Sequence, residues 1–198
     1  MVKIIAVAGL IGSGKSTVAK ILNDRISGFL FDCDKECEDI IRKDDFKEVF
    51  GFSLNGDDII TKKKFISDYI FGNEKKRKEY EKHIWKKCLE KFDKAVMKQG
   101  KRGCKIIVLD APLLFQAGFE KRADRIVLVE ADFETRKARF VKRGGSESDF
   151  IVRNKLQSEF FCDNEEYIGE SVWKVIANDG DDLDALERAV DEVVSGLN

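Results

Sequence analysis

Residues 2–8, VKIIAVA, read as a buried strand and pass straight into GLIGSGKST at 9–17, after which Val18, Ile21, Leu22 and Ile26 recur at helical spacing in KSTVAKILNDRI. Strand, glycine loop and helix in that order fit the pattern G-x-x-x-x-G-K-[ST] through Gly9, Gly14, Lys15 and Ser16. Few local patterns restrict a fold so much. The glycines let the backbone curl until successive N–H groups converge on phosphate oxygens, and the start of the helix adds its positive end. Gly12, Ser13 and Thr17 complete the cradle, Lys15 reaches the outer phosphates, and the Ser16 hydroxyl suits Mg2+. A chain built on this unit holds a nucleotide by its phosphates.

The alternation continues downstream. FLF at 29–31 is a short strand ending in DCD, and Cys37, Ile40 and Ile41 then mark a helical stripe. From about 42 to 100 there is no strong strand. TKKKFISDYIF and EKKRKEYEKHIWKKCLEKFDKAVMKQG both read as helices, the second stopping at Gly100, so this stretch is a helical insert. CKIIVLD and RIVLVEA are further strands, and the latter feeds the helix DFETRKARFVKR. GGSESDF supplies a flexible turn with a Ser or Asp cap ahead of a helix over about 148–161. The strand VWKVIAN, the turn NDGDD and the amphipathic LDALERAVDEVVSGL close the chain. Strands alternating with helices predict an α/β fold with a central parallel sheet flanked by helices, because parallel strands need crossovers. Ligands bind beyond the carboxyl ends of such strands, so the loops after Ala8, Phe31, Leu109 and Glu130 should surround one site.

Composition narrows the partners. A length of 198 residues suits a single domain. With 36 Lys and Arg against 37 Asp and Glu the net charge is -1, too balanced for a general field toward nucleic acid or an anionic membrane. The longest apolar runs fall far short of the roughly 18 residues that span a bilayer. The glycine loop and Lys15 interrupt the first apolar segment, and no small-residue cleavage pattern follows, so a cytoplasmic location is expected. Cys33, Cys37, Cys88, Cys104 and Cys162 are scattered and form no CxxC pair, which reads as reduced structural thiols rather than a disulfide framework or zinc site.

The phosphate loop alone does not separate kinases from GTPases or motor ATPases. A GTPase would carry DxxG after a later strand and NKxD before its base pocket; here the later strand ends LDAPLL and the only NK, in NKLQ, lacks the Asp. A motor would need far more chain, and a small kinase remains. Such an enzyme needs a carboxylate near the acceptor hydroxyl, and Asp34 of DCD is favoured over Asp32 on the assumption that strand geometry turns the two to opposite sides. The competing role for Asp34 is the N-cap of the following helix. Asp110 ends KIIVLD, where a carboxylate can reach the water shell of Mg2+ or cap a turn. Leu113 and Leu114, after the lone Pro112, form either a turn packed on the core or the wall of an apolar substrate pocket. Arg139 and Arg143 share a helical face beside GG, an arrangement suited to a closing lid over about 143–160 that neutralises a transferring phosphoryl group, or to plain solvation. His83, the only histidine, reads from its local sequence as a solvated or partly buried residue.

With these residues in view the chain resembles the dephospho-CoA kinases of the P-loop kinase superfamily over most of its length. The resemblance rests on GLIGSGKSTVA, on DCD for the family's DAD, on His83 where the family has His-Pro, on LDAPLLF for D-x-PLLFE, on RADRIVLVEADFETRKARFVKR, on RNKLQ in place of a lid Arg and Gln, and on IANDG. It implies a P-loop kinase fold with a helical substrate-binding insert and a lid, and transfer of phosphate from ATP to the ribose 3′-hydroxyl of dephospho-CoA, giving CoA and ADP. It also implies Asp34 as the base or acceptor-orienting group, Lys15 and Arg143 as charge stabilisers, and His83 as a substrate contact. Three departures fall on the acceptor side: Ile84 for the proline, Gln116 for the Glu of PLLFE, and Lys62–Lys64 where the family has Arg. Rival readings are a small-metabolite kinase of the shikimate or gluconate type, a nucleoside monophosphate kinase, and an ATP-binding module without turnover. The first lacks its GGG stretch and the second its DR[YH] element.

Overall fold

The computed structural model describes residues 2–54, 58–70, 72–180 and 182–197. In chain order the elements are β1 (Lys3–Ala8), α1 (Lys15–Ile26), β2 (Phe29–Asp32), α2 (Cys33–Lys43), α3 (Lys47–Phe50), α4 (Ile59–Ile70), α5 (Glu74–Lys101), β3 (Ile106–Asp110), β4 (Arg125–Glu130), α6 (Phe133–Lys142), α7 (Glu147–Asp163), α8 (Glu165–Ser171), β5 (Lys174–Ala177) and α9 (Leu183–Ser195). A single 3-10 turn, Phe119–Arg122, precedes β4. The chain divides into two compact units, Met1–Phe31 with Gln99–Asn198, and Asp32–Lys98.

The first unit carries the sheet, in strand order β2-β3-β1-β4-β5. β1 pairs in parallel with both β3 and β4, and β4 in parallel with β5. Each crossover therefore lays a helix on a face of the sheet, and the strands are apolar on both sides because both sides are covered. Ile5, Val7, Val108, Val127, Val129 and Ile176 form the sheet's share of the core. Val18, Ala19 and Leu22 of α1 and Leu186, Val190 and Val193 of α9 close over them at helical spacing. The predicted parallel α/β sheet is the one observed.

The second unit is all helix. Asp32 caps α2, its carboxylate accepting from the Lys35 backbone N–H at 3.0 Å. At the other end of α2 the buried Lys62 ammonium donates to the carbonyls of Arg42 (3.3 Å) and Asp44 (2.8 Å). A cation there meets the negative end of the helix and satisfies carbonyls that the helix itself leaves open. Phe46, fully buried, packs against Phe50 with ring centroids 5.5 Å apart and against the His83 ring at 5.6 Å. This unit starts at Asp32, ahead of the insert boundary expected near 42, because α2 packs with α4. α5 runs through Gly100 to Lys101 rather than stopping at the glycine. Residue 71, the expected end of the α4 helix, and residue 181 of the NDGDD turn lie outside the described residues. Among the described residues no helix is long and apolar enough to cross a membrane.

Candidate active site

Strand register places the phosphate loop. Val7 lies opposite Asp110, and Ala8 opposite Leu128, so the chain leaves β1 for the loop next to the carboxyl ends of β3 and β4. Glycine is needed there at more than one position. Gly12 has φ +82° and Gly14 φ +95°, backbone that other residues rarely adopt. A methyl on Gly12 would also run into the backbone of Arg136, and one on Gly14 into the Asn178 amide. α1 starts at Lys15 with Gly14 as its N-cap, a residue with no side chain to cap the helix. The start of a helix favours an anion. Lys15 and Ser16 are half-buried and Thr17 is exposed, while Ser13 is fully buried, its N–H donating to the Leu10 carbonyl at 3.1 Å.

Residues from distant strands brace this loop. The Asn178 side-chain amide, just past β5, donates to the Ser13 carbonyl at 2.7 Å, and its backbone N–H to the Glu130 carbonyl at 2.8 Å. Arg139 on α6 donates through Nη1 to the Asn178 carbonyl at 2.8 Å and through Nη2 to that of Gly180. The expected ATP-side Arg139 thus holds the turn after β5 at the flank of the phosphate loop. Arg143 stands exposed as the C-cap of α6. Arg136, at 6% exposure, donates through Nη1 to the Ile11 carbonyl at 3.3 Å and to Asn154 Oδ1 at 2.6 Å, and through Nε to the Ala131 carbonyl at 3.0 Å. Gln157 Oε1 on α7 accepts from the Ile11 N–H at 2.7 Å. Asn178, Arg136, Asn154 and Gln157 are absent from the site expected from sequence. Three of them lie within IANDG and RNKLQ, segments quoted above for the family resemblance, but nothing in their local pattern marks a brace on the loop.

Asp110 ends β3 at 5% exposure. Leu114 is buried at 1%, whereas Leu113 is half-buried. Gln116 Oε1 is buried without a protein hydrogen-bond partner among the described residues.

The remaining expected residues belong to the helical unit. β2 ends at Asp32 and α2 begins at Cys33, so strand geometry does not carry on to Asp34, and the argument from alternating strand faces fails. Asp32 takes the cap, and Asp34 sits exposed in the first turn of α2. His83 is nearly enclosed: Nε2 lies 2.7 Å from Asp44 Oδ2, and Nδ1 3.8 Å from Glu48. Burial pushes the Asp44 carboxyl up, but the Phe46 N–H, the Lys87 ammonium and His83 outweigh it and hold the group below the usual carboxylate range. Ile84 is buried at 4% within the unbroken α5, where a proline would remove a helix hydrogen bond. Lys62 is committed to the end of α2, and Lys63 pairs with Glu38 at 3.3 Å.

A parallel sheet whose first strand feeds a G-x-x-x-x-G-K-S loop, with a strand-end aspartate beside it and arginine-bearing helices around it, defines a P-loop kinase. The profile of the dephospho-CoA kinase family matches residues 3–182. The dephospho-CoA kinase of Chlorobaculum tepidum is 30% identical, over 98% of this chain and 94% of that protein. Among solved structures, TT1252 from Thermus thermophilus is 27% identical with a TM-score of 0.75, over 100% of this chain and 98% of that one. The dephospho-CoA kinase from Campylobacter jejuni, at 20% identity, shares the fold with a TM-score of 0.66 over 100% of this chain and 98% of that one. The chain belongs to the dephospho-CoA kinase family. It is a kinase that uses ATP as co-substrate and dephospho-CoA as acceptor, and the shikimate-type alternative is not favoured.

Proposed function

We propose that residues 9–17 hold the ATP phosphates, with Gly9, Gly12, Ser13, Gly14, Ser16 and Thr17 forming the cradle, and that Lys15 and Arg143 neutralise the phosphoryl group in flight. Arg139 acts on the ATP side by fixing the turn at 178–180. Asp34 orients the ribose 3′-hydroxyl of dephospho-CoA and takes its proton. The observation that carries this role is that Asp32 caps α2 while Asp34, in the first turn of α2, has its side chain at the surface. On the acceptor side His83 of the helical unit is a contact, and Leu113 on the turn after β3, backed by the buried Leu114, is an apolar wall. The segment from about 143 to 160 serves as the lid.

Mg2+ fits the donor set. Ser16 offers a hydroxyl in the first turn of α1 and Asp110 a carboxylate at the end of β3, oxygen donors of the kind this ion takes. When bound, the ion would offset charge on the outer phosphates.

Asp34→Asn tests the assignment. Turnover of dephospho-CoA should fall by about 100-fold or more, as for loss of a general base, with ATP affinity by calorimetry close to wild type. Lost ATP affinity in this variant would instead make Asp34 a metal or structural residue.

A further inference from the structure

Besides the Asn178 brace on Ser13, the phosphate loop is held from outside at Ile11. Both peptide groups flanking Ile11 are engaged by helices that follow β4. The Ile11 N–H donates to Gln157 Oε1 at 2.7 Å, and the Ile11 carbonyl accepts from Arg136 Nη1 at 3.3 Å. The consequence follows from trans peptide geometry, in which the C=O and N–H of one peptide point opposite ways. Turning the Ile11 carbonyl toward α6 aims the Gly12 N–H away from α6. Turning the Ile11 N–H toward α7 aims the Leu10 carbonyl back into the loop, where it accepts from the Ser13 N–H at 3.1 Å.

Arg136 can serve as a fixed anchor because it is itself fixed. Its guanidinium is buried, with Ala131 and Asn154 as further partners, and the α6 backbone at Arg136 lies against Gly12 so closely that no side chain fits. Asn154 and Gln157 lie three residues apart on α7 and so share a helical face. One face of α7 therefore reaches the loop twice, directly through Gln157 and indirectly through Asn154 and Arg136.

We infer that Gln157 is a positioning residue for phosphoryl transfer, with Arg136 behind it: the pair sets the orientation of the phosphate loop through the backbone of Ile11 and couples the grip on ATP to the position of α7. The inference rests on the reading of residues 9–17 as the ATP site.

Gln157→Met keeps the reach of the side chain and removes its acceptor oxygen. The KM for ATP, and the ATP dissociation constant by calorimetry, should rise about tenfold, the effect of one well-formed hydrogen bond. The KM for dephospho-CoA should stay within about twofold, and thermal unfolding should be close to wild type. Arg136→Gln, if it folds, should show the same selective loss, and adding Gln157→Met to it should cost less than in the wild-type background. Wild-type ATP affinity in a folded Gln157→Met protein would overturn the inference. Equal losses for both substrates with lowered thermal stability would also overturn it, reducing Gln157 to a structural role. If the wild-type protein itself bound no ATP, the underlying site assignment would fall instead.

Discussion

Gly14 carries three demands at once. It takes φ +95°, ends the phosphate loop as the N-cap of α1, and leaves no room for a methyl beside the Asn178 amide. Gly14→Ala should therefore lose about 1–3 kcal/mol of stability from backbone strain alone, and chemical denaturation will measure it. Nucleotide binding should suffer more than stability does, because relief of the clash displaces the Asn178 amide that holds the Ser13 carbonyl. The loop residues were legible in the sequence since their function depends on local backbone geometry, and local geometry writes itself as glycine spacing. Their supports were not. Ile11 and Gln157 lie 146 positions apart, and Ser13 and Asn178 165 apart, and no pattern within a single segment marks an asparagine or glutamine that will bond a distant backbone group. DCD was half legible: two aspartates after a strand announced a site, but which of them caps depends on where the strand stops, and it stops at Asp32.

At the scale of elements, the end of α2 gathers the charges of the helical unit. Asp44 accepts from the Phe46 N–H at 2.9 Å, pairs with Lys87 at 2.9 Å and meets His83 at 2.7 Å, while Lys62 holds its carbonyl. A carboxyl whose folded pKa lies below its unfolded value stabilises the fold above the unfolded pKa, about 4 for Asp. That contribution disappears as pH falls through the lower, folded value. Asp44→Asn should accordingly destabilise the protein near neutral pH by about 1–3 kcal/mol, as for loss of charge-assisted hydrogen bonds. The deficit relative to wild type should shrink on acidification below about pH 4, followed by denaturation at a series of pH values. An undiminished deficit in acid would mean that Asp44 acts through packing alone. The same cluster explains two departures from the family pattern. Lys62 of α4 serves the end of α2, and Ile84 lies within α5, which is continuous from Glu74 to Lys101. The long elements were readable from periodicity, whereas α3 and α8, of 4 and 7 residues, are too short to display a helical repeat.

The whole molecule combines a sheet unit that carries the phosphate loop with a helical unit that carries Asp34 and His83. The proposed ATP site draws on several separate features of the sheet unit: the loop, Asp110 in register with Val7, and the braces at Ile11, Ser13 and Asn178. The helical unit holds the substitutions at 62–64 and 84, and Gln116 adds one more on the turn after β3. Acceptor choice is therefore where the account is most exposed to test. The direct measurement is ADP release by the purified protein with Mg2+ and ATP, run separately with dephospho-CoA, shikimate, gluconate and nucleoside monophosphates, with the product identified by mass spectrometry. ADP and CoA should appear in equal amounts with dephospho-CoA, and the other acceptors should stay at background. No ADP above background with dephospho-CoA, alongside turnover of another acceptor, would contradict the account.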